Sequence, residues 1–305
     1  VLPPAVFPRA SGEIAEMIAF VERLLQRGHA YVVDGHVYFS VATDPEYGEL
    51  SKLDRDAMIA LAGERGGDPD DPRRRDPLDF VLWRPSKSGE PRMSSPWGEG
   101  LPGWHLECST MALKYLGAPI DIHGGGADLI FPHHENEIAQ SEGVGSGRPF
   151  ACFWLHTGMV FLGGQKMSKS LGNMVFVRDL LPRYGADALR LYLSGCQYRD
   201  ELHYEEARLI EAAALAGRLT AAVALPLDGS PTTLDLAPFR EKFTAHMDDD
   251  LDTPRAISVL VDLAEAIRIE QMGGRETRDG QALLRELGDV LGLRLEQGNT
   301  QHTPA

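Results

Sequence analysis
The 305-residue chain reads as an α/β fold with a parallel sheet followed by an all-helical bundle, on three observations. From Ala118 a short apolar stretch, the glycines Gly124–Gly126, a helix opened by Pro132 and a second apolar stretch from Phe150 to Phe161 succeed one another, which is the order of strand, crossover helix and parallel strand. From about Tyr204, Leu209, Ala212, Ala213, Leu215, Leu219 and Val223 recur at helical spacing. The length exceeds the usual single domain, and 43% hydrophobic residues suffice for a sizeable core, so two domains are expected.

The elements follow in order. Ser11 and Glu13, then Ile14, Met17, Ile18, Val21, Leu24 and Leu25, closed by Gly28, predict an amphipathic helix with start and stop signals. Tyr31-Val32-Val33 and Val37-Tyr38-Phe39 around Asp34-Gly35 predict a hairpin. Ala62 to Asp76 reads as a Gly/Pro/Asp-rich loop. Its Arg73-Arg74-Arg75 cluster lies among Asp70, Asp71 and Asp76, so a self-neutralised loop is at least as good a reading as a phosphate clamp. Ligands of a parallel sheet gather at the carboxyl ends of its strands, where the motifs described below fall. Val177 to Ser194 reads as helix and connection, Asp228 to Thr233 as a linker, and Thr253-Pro254 as the cap of a helix through Ile257, Leu260, Leu263 and Ile267. The apolar stripes of this bundle are core packing.

Net charge of -15 disfavours a polyanionic partner, so any contact with nucleic acid has to rely on local basic patches and weaken with salt. Cys108, Cys152 and Cys196 have no regular spacing, and no apolar run reaches the length of a membrane span or signal peptide; a cytoplasmic location without membrane contact is the expectation.

The most informative segment is Lys166-Met167-Ser168-Lys169-Ser170, flanked by Gly163, Gly164 and Gly172. Two ammonium groups on a glycine-hung loop suit a triphosphate whose leaving group gains charge, although such a string alone is also compatible with a solvated loop. Upstream stand Gly103-Trp104-His105-Leu106-Glu107-Cys108-Ser109 and the run Asp121 to Glu137, which contains His123-Gly124-Gly125-Gly126-Ala127-Asp128 and Pro132-His133-His134-Glu135-Asn136-Glu137. His133 and Glu137 are four apart on a helix, so they share a face and can reach one ion, with Cys108 joining from another element. Taken alone, that pair is more often a solvated helix face, and the Cys108-to-His133 separation is not a zinc-finger spacing.

Together these segments resemble the class I aminoacyl-tRNA synthetases and, within them, cysteinyl-tRNA synthetase. Further matches are Pro8-Arg9-Ala10-Ser11, Asp76 to Trp83 and Met247 to Pro254. The resemblance implies a class I Rossmann-like catalytic domain over 1–175 with an insertion, a stem-contact region over 176–203 that includes Ala186 to Arg190, a helical anticodon-binding-type bundle over 204–295, and a polar tail over 296–305. It implies zinc held by Cys108, His133 and Glu137, with Trp104 as a wall of the amino-acid pocket and Asp128 holding the substrate ammonium. It implies Lys166 and Lys169 as catalytic residues, Lys169 and His156 at ATP, and His123 beside the nucleotide site. Substrates and partners are L-cysteine, ATP with Mg2+, and tRNA-Cys. Zinc accounts for selectivity, since a thiolate is a good zinc ligand and serine's hydroxyl a poor one.

The family's His-Ile-Gly-His motif and early zinc-ligating cysteine have no counterpart here. A chain lacking the N-terminal part is therefore expected, whose missing half supplies the nucleotide motif and a fourth zinc ligand, and which binds zinc without catalysing cysteine-dependent pyrophosphate exchange. Two alternatives are a ligase joining cysteine to a small amino-sugar, disfavoured by the helices after Tyr204, and a non-catalytic zinc- or tRNA-binding paralogue.

Overall fold
The computed structural model describes residues 2–169, 171–227, 229–232 and 234–296. Ser170 of the lysine loop, Asp228 and Thr233 at the ends of the linker, and the tail 297–305 lie outside the described residues. The chain forms two compact units, one running Leu2–His156 and the other from Thr157 onward.

The first unit opens with α1 (Ile14–Gln26), whose buried face is Met17, Phe20, Val21 and Leu24. Ser11 does not start this helix. It lies in a 3-10 turn, Ala10–Gly12, and Glu13 precedes the helix without capping it because its carboxylate accepts from Lys114 and from the Tyr115 hydroxyl at 2.6 Å. The hairpin is present as β1 (Ala30–Val33) and β2 (His36–Phe39), antiparallel, with Asp34 and Gly35 both at positive φ as a two-residue turn demands. With β3 (Phe80–Pro85) and β4 (Gly100–Pro102) they make a four-stranded antiparallel sheet in the order β1-β2-β3-β4. Helix α2 (Arg55–Glu64) is capped by Asp54, whose side chain accepts from Ala57 N–H at 2.9 Å, so the loop expected from Ala62 begins only after Glu64.

The arginine cluster is tied into this sheet. Arg73 pairs with Asp71 at 2.8 Å, Tyr38 hydroxyl donates to Asp71 at 2.7 Å, and Arg75 stacks 4.0 Å over Tyr31. Met17, Phe20, Leu24, Val37, Phe39, Leu82 and Trp83 form the core between α1 and the sheet.

Next come α3 (Trp104–Tyr115), β5 (Ile120–Gly126), α4 (Glu135–Gly143) and β6 (Ala151–Thr157). Ile120 N–H donates to Phe150 O at 2.9 Å, and a Cβ placed on Gly124 would stand 3.3 Å from the Leu155 carbonyl oxygen. Pairing therefore advances in the same direction on both strands, giving the parallel pair and crossover helix that the sequence predicts. The crossover helix does not begin at Pro132. Phe131 is extended (φ -134°, ψ 137°), a single wide turn spans Ile130–His134, and regular helix starts at Glu135.

In the second unit β7 (Val160–Leu162) pairs antiparallel with β8 (Gln165–Lys166) and parallel with β9 (Leu202–His203). Helices α5 (Val177–Tyr184) and α6 (Ala186–Ser194) are separated at Gly185, which has φ of 81°. Four helices follow: α7 (Glu206–Val223), α8 (Ala237–Asp248), α9 (Thr253–Met272) and α10 (Arg278–Val290). Leu209, Leu219, Leu260, Leu263, Ile267 and Leu284 are fully buried among them, as their helical spacing requires. The cap of α9 is Asp252, whose carboxylate accepts from Arg255 N–H at 3.2 Å; the Thr253 hydroxyl instead donates to Ser194 O at 2.7 Å. Among the described residues no helix is long and apolar enough to cross a membrane.

Candidate metal centre
Four elements of the first unit bring the site together. One turn of α3 aligns Trp104, His105 and Cys108, the turn Ile130–His134 and the first turn of α4 carry His133, His134 and Glu137, and β5 supplies His123. One ligand atom from each of Cys108, His133 and Glu137 lies within 4.8 Å of the others, so residues distant in sequence converge as a common ion requires. A second group, His123, His134 and Glu137, meets the same distance test.

Glu137 is the centre of both groups and is fully buried. Its Oε2 lies 3.0 Å from His123 Nε2, 3.8 Å from His133 Nε2 and 3.9 Å from His134 Nε2. Its Oε1 has no hydrogen-bond partner among the described residues. An ionised carboxylate in such a place calls for a cation, and its only ion-pair neighbours among the described residues are imidazoles.

His133 and His134 favour the neutral form. Burial lowers His133, and burial followed by the neighbouring rings of His123, His156 and His133 brings His134 down to about 3. Burial, then His133, brings His105 to about 3. Burial, then Glu137 and Glu107, pushes the Cys108 thiol up to about 12. A divalent cation among these atoms would answer each of these demands at once: charge for the carboxylate, stabilisation of a thiolate, and use of imidazole lone pairs. Sulfur, nitrogen and oxygen donors of this kind fit zinc.

The surroundings place the remaining residues. Trp104 stacks on His133 with centroids 4.1 Å apart while staying 55% exposed. Asp128 is half-buried in the turn Ala127–Leu129 at the carboxyl end of β5. His156 Nε2 lies 2.7 Å from His134 Nδ1. Gly125 permits this clustering, because a Cβ there would come within 2.9 Å of the His134 ring and of Leu129.

The lysine loop belongs to the second unit. Gly163 and Gly164, with φ of 59° and 79°, form the two-residue turn between β7 and β8 that sets Lys166 opposite Phe161. Asn173 holds the loop, accepting from Ser168 N–H at 2.9 Å and donating to Lys166 O at 3.2 Å, and Lys169 is exposed.

Sequence reasoning missed His105, whose Nδ1 lies 2.8 Å from His133 Nδ1, and it missed the engagement of His123 with Glu137 and of His134 with His156. The three-residue interval from His134 to Glu137 was the available signal, since it places both on one helical face.

Comparison with known proteins follows the same line. Residues 1–214 match the family described as "tRNA synthetases class I (C) catalytic domain", and residues 242–296 match the DALR domain. A cysteine-tRNA ligase of Dehalococcoides mccartyi is 47% identical over 298 residues, covering 97% of this chain and 64% of that protein. Another from Symbiobacterium thermophilum is 44% identical over all of this chain and 68% of that protein. The chain thus spans about two thirds of the length of these relatives, and less than that of the first. In fold alone it resembles Mycobacterium tuberculosis methionyl-tRNA synthetase solved with methionyl-adenylate, with a TM-score of 0.60 at 17% identity over 94% of this chain and 72% of that one. A class I catalytic match over most of the chain, a DALR match behind it and high identity to the cysteine enzymes place one conclusion beyond the fold: this chain belongs to the cysteine-tRNA ligase family of class I aminoacyl-tRNA synthetases.

Proposed function
We propose that the chain serves ATP-dependent activation of L-cysteine and its transfer to tRNA-Cys, with zinc held by Cys108, His133 and Glu137. The observation that carries this reading is the fully buried Glu137, one oxygen unpartnered, within 4.8 Å of a thiol and an imidazole. Bound zinc would supply a soft Lewis-acid contact for a substrate thiol, which serine's hydroxyl matches poorly. Trp104 forms a wall of the amino-acid pocket, and Asp128 receives the substrate ammonium. His156 lines the nucleotide site. Lys166 and Lys169 neutralise the triphosphate, which travels with Mg2+, and the pyrophosphate that departs when the cysteine carboxylate attacks the α-phosphorus. The work of these side chains is positioning and charge compensation rather than covalent chemistry.

The DALR match over 242–296 and the helices α7 to α10 support tRNA over an amino-sugar as acceptor. Domain limits of 1–175, 176–203 and 204–295 are proposed with this function. The test is cobalt substitution. Cysteine should perturb the cobalt absorption of the wild-type chain while serine at the same concentration leaves it unchanged, and Cys108→Ala should lose the signal. Equal responses to cysteine and serine, or cobalt uptake unaffected in Cys108→Ala, would refute the assignment.

A further inference from the structure
We infer that His105 is a positioning residue for the metal centre: it accepts a hydrogen bond from His133 Nδ1–H and thereby fixes His133 in the tautomer whose Nε2, the nitrogen on the Glu137 side, carries the lone pair. This inference rests on the zinc reading above. The geometry that carries it is the 2.8 Å separation between His105 Nδ1 and His133 Nδ1. Two nitrogens at that distance share one proton, so one ring must donate and the other accept. His133 Nε2 is the nitrogen on the Glu137 side, 3.8 Å from Oε2. A coordinating nitrogen offers its lone pair, which leaves the His133 proton on Nδ1 and makes His105 Nδ1 the acceptor, with the His105 proton on Nε2.

The acceptor is held in place. His105 O accepts from Gln140 Nε2 at 2.6 Å, and the same amide donates to Ser109 Oγ at 2.7 Å, so the turn of α3 bearing His105 and Cys108 is tied to the helix bearing Glu137. Phe80 packs against the His105 ring edge-on at 5.9 Å, and Trp104 covers the His133 ring. The chemical type of the acceptor also matters. Ligating histidines commonly donate to a carboxylate, which adds negative charge beside the metal. Here the acceptor is a neutral imidazole, which adds no charge beside the anionic Cys108 and Glu137 donors.

The test uses the full 305-residue chain with zinc alone as probe. In His105→Leu the ring acceptor is gone; in His105→Asn a side-chain oxygen stands close to where Nδ1 was. Chelator competition should show zinc affinity falling roughly 10- to 100-fold in His105→Leu and largely restored in His105→Asn. Nitrogen-15 spectra of zinc-loaded wild type should show the His133 proton on Nδ1, a readout that a merely structural role would not move. Wild-type affinity in His105→Leu, or a His133 proton on Nε2, would overturn the inference while leaving the zinc reading intact. Failure of the wild type to hold zinc more tightly than Cys108→Ala would overturn both.

Discussion
Replacing Glu137 by glutamine separates charge from shape at the candidate metal centre. The carboxylate is fully buried, accepts one hydrogen bond from His123, leaves Oε1 unpartnered, and has only imidazoles as ion-pair neighbours among the described residues. Desolvating such a charge costs several kcal/mol, so without metal the isosteric amide should stabilise the fold by about 1 to 3 kcal/mol. For a unit of this size each kcal/mol moves Tm by about 2 to 4 °C, and the chelator-treated variant should melt several degrees above wild type. Zinc reverses the order wherever that metal-free gain is below about 2.3 kcal/mol. At a free concentration of about 100 times Kd it adds about 2.7 kcal/mol to the wild type, whereas a variant whose affinity has dropped about a hundredfold gains only about 0.4 kcal/mol. Calorimetry with chelator and with buffered zinc reads both effects on the same samples. A variant that keeps the full zinc-dependent rise, or melts below wild type when metal-free, would refute the claim that Glu137 is a buried charge awaiting a cation.

Two further outcomes are expected. The Asp71 carboxyl is held well below the usual carboxylate range, first by Arg73 and then, against some burial cost, by Tyr38. Its contribution to stability is therefore fully present above about pH 4, the unfolded value, and lost as pH falls further toward the folded one. Acid titration of the unfolding free energy should show this loss in the wild type and a shallower slope in Asp71→Asn; equal slopes would contradict it. In the helical unit Asp252→Ala removes the cap of α9 at a cost of about 1 kcal/mol, read by urea unfolding, while Thr253→Ala should not abolish capping. The reverse ranking would show that the hydroxyl, not the carboxylate, holds the helix start.

Helices such as α7 and α9 and the β1–β2 hairpin are legible in the chain because their signals are local: a 3.6-residue apolar repeat, and Asp34-Gly35 between alternating strands. Element starts are less legible, since a cap depends on which polar group is free to serve. Glu13 is taken by Lys114 and Tyr115, Thr253 by Ser194, and Phe131 leaves helical geometry before α4 begins.

The same division runs through the site. His133 and Glu137 share a face by helical geometry alone, and the lysine loop announces itself by composition, so both follow from residue order. That His105 meets His133, that His123 reaches Glu137 and His156 reaches His134, and that one Glu137 oxygen lacks a hydrogen-bond partner among the described residues are decided by packing between α3, β5, α4 and β6. Burial and hydrogen-bond partnership arise from neighbours far away along the chain, and no local pattern encodes them.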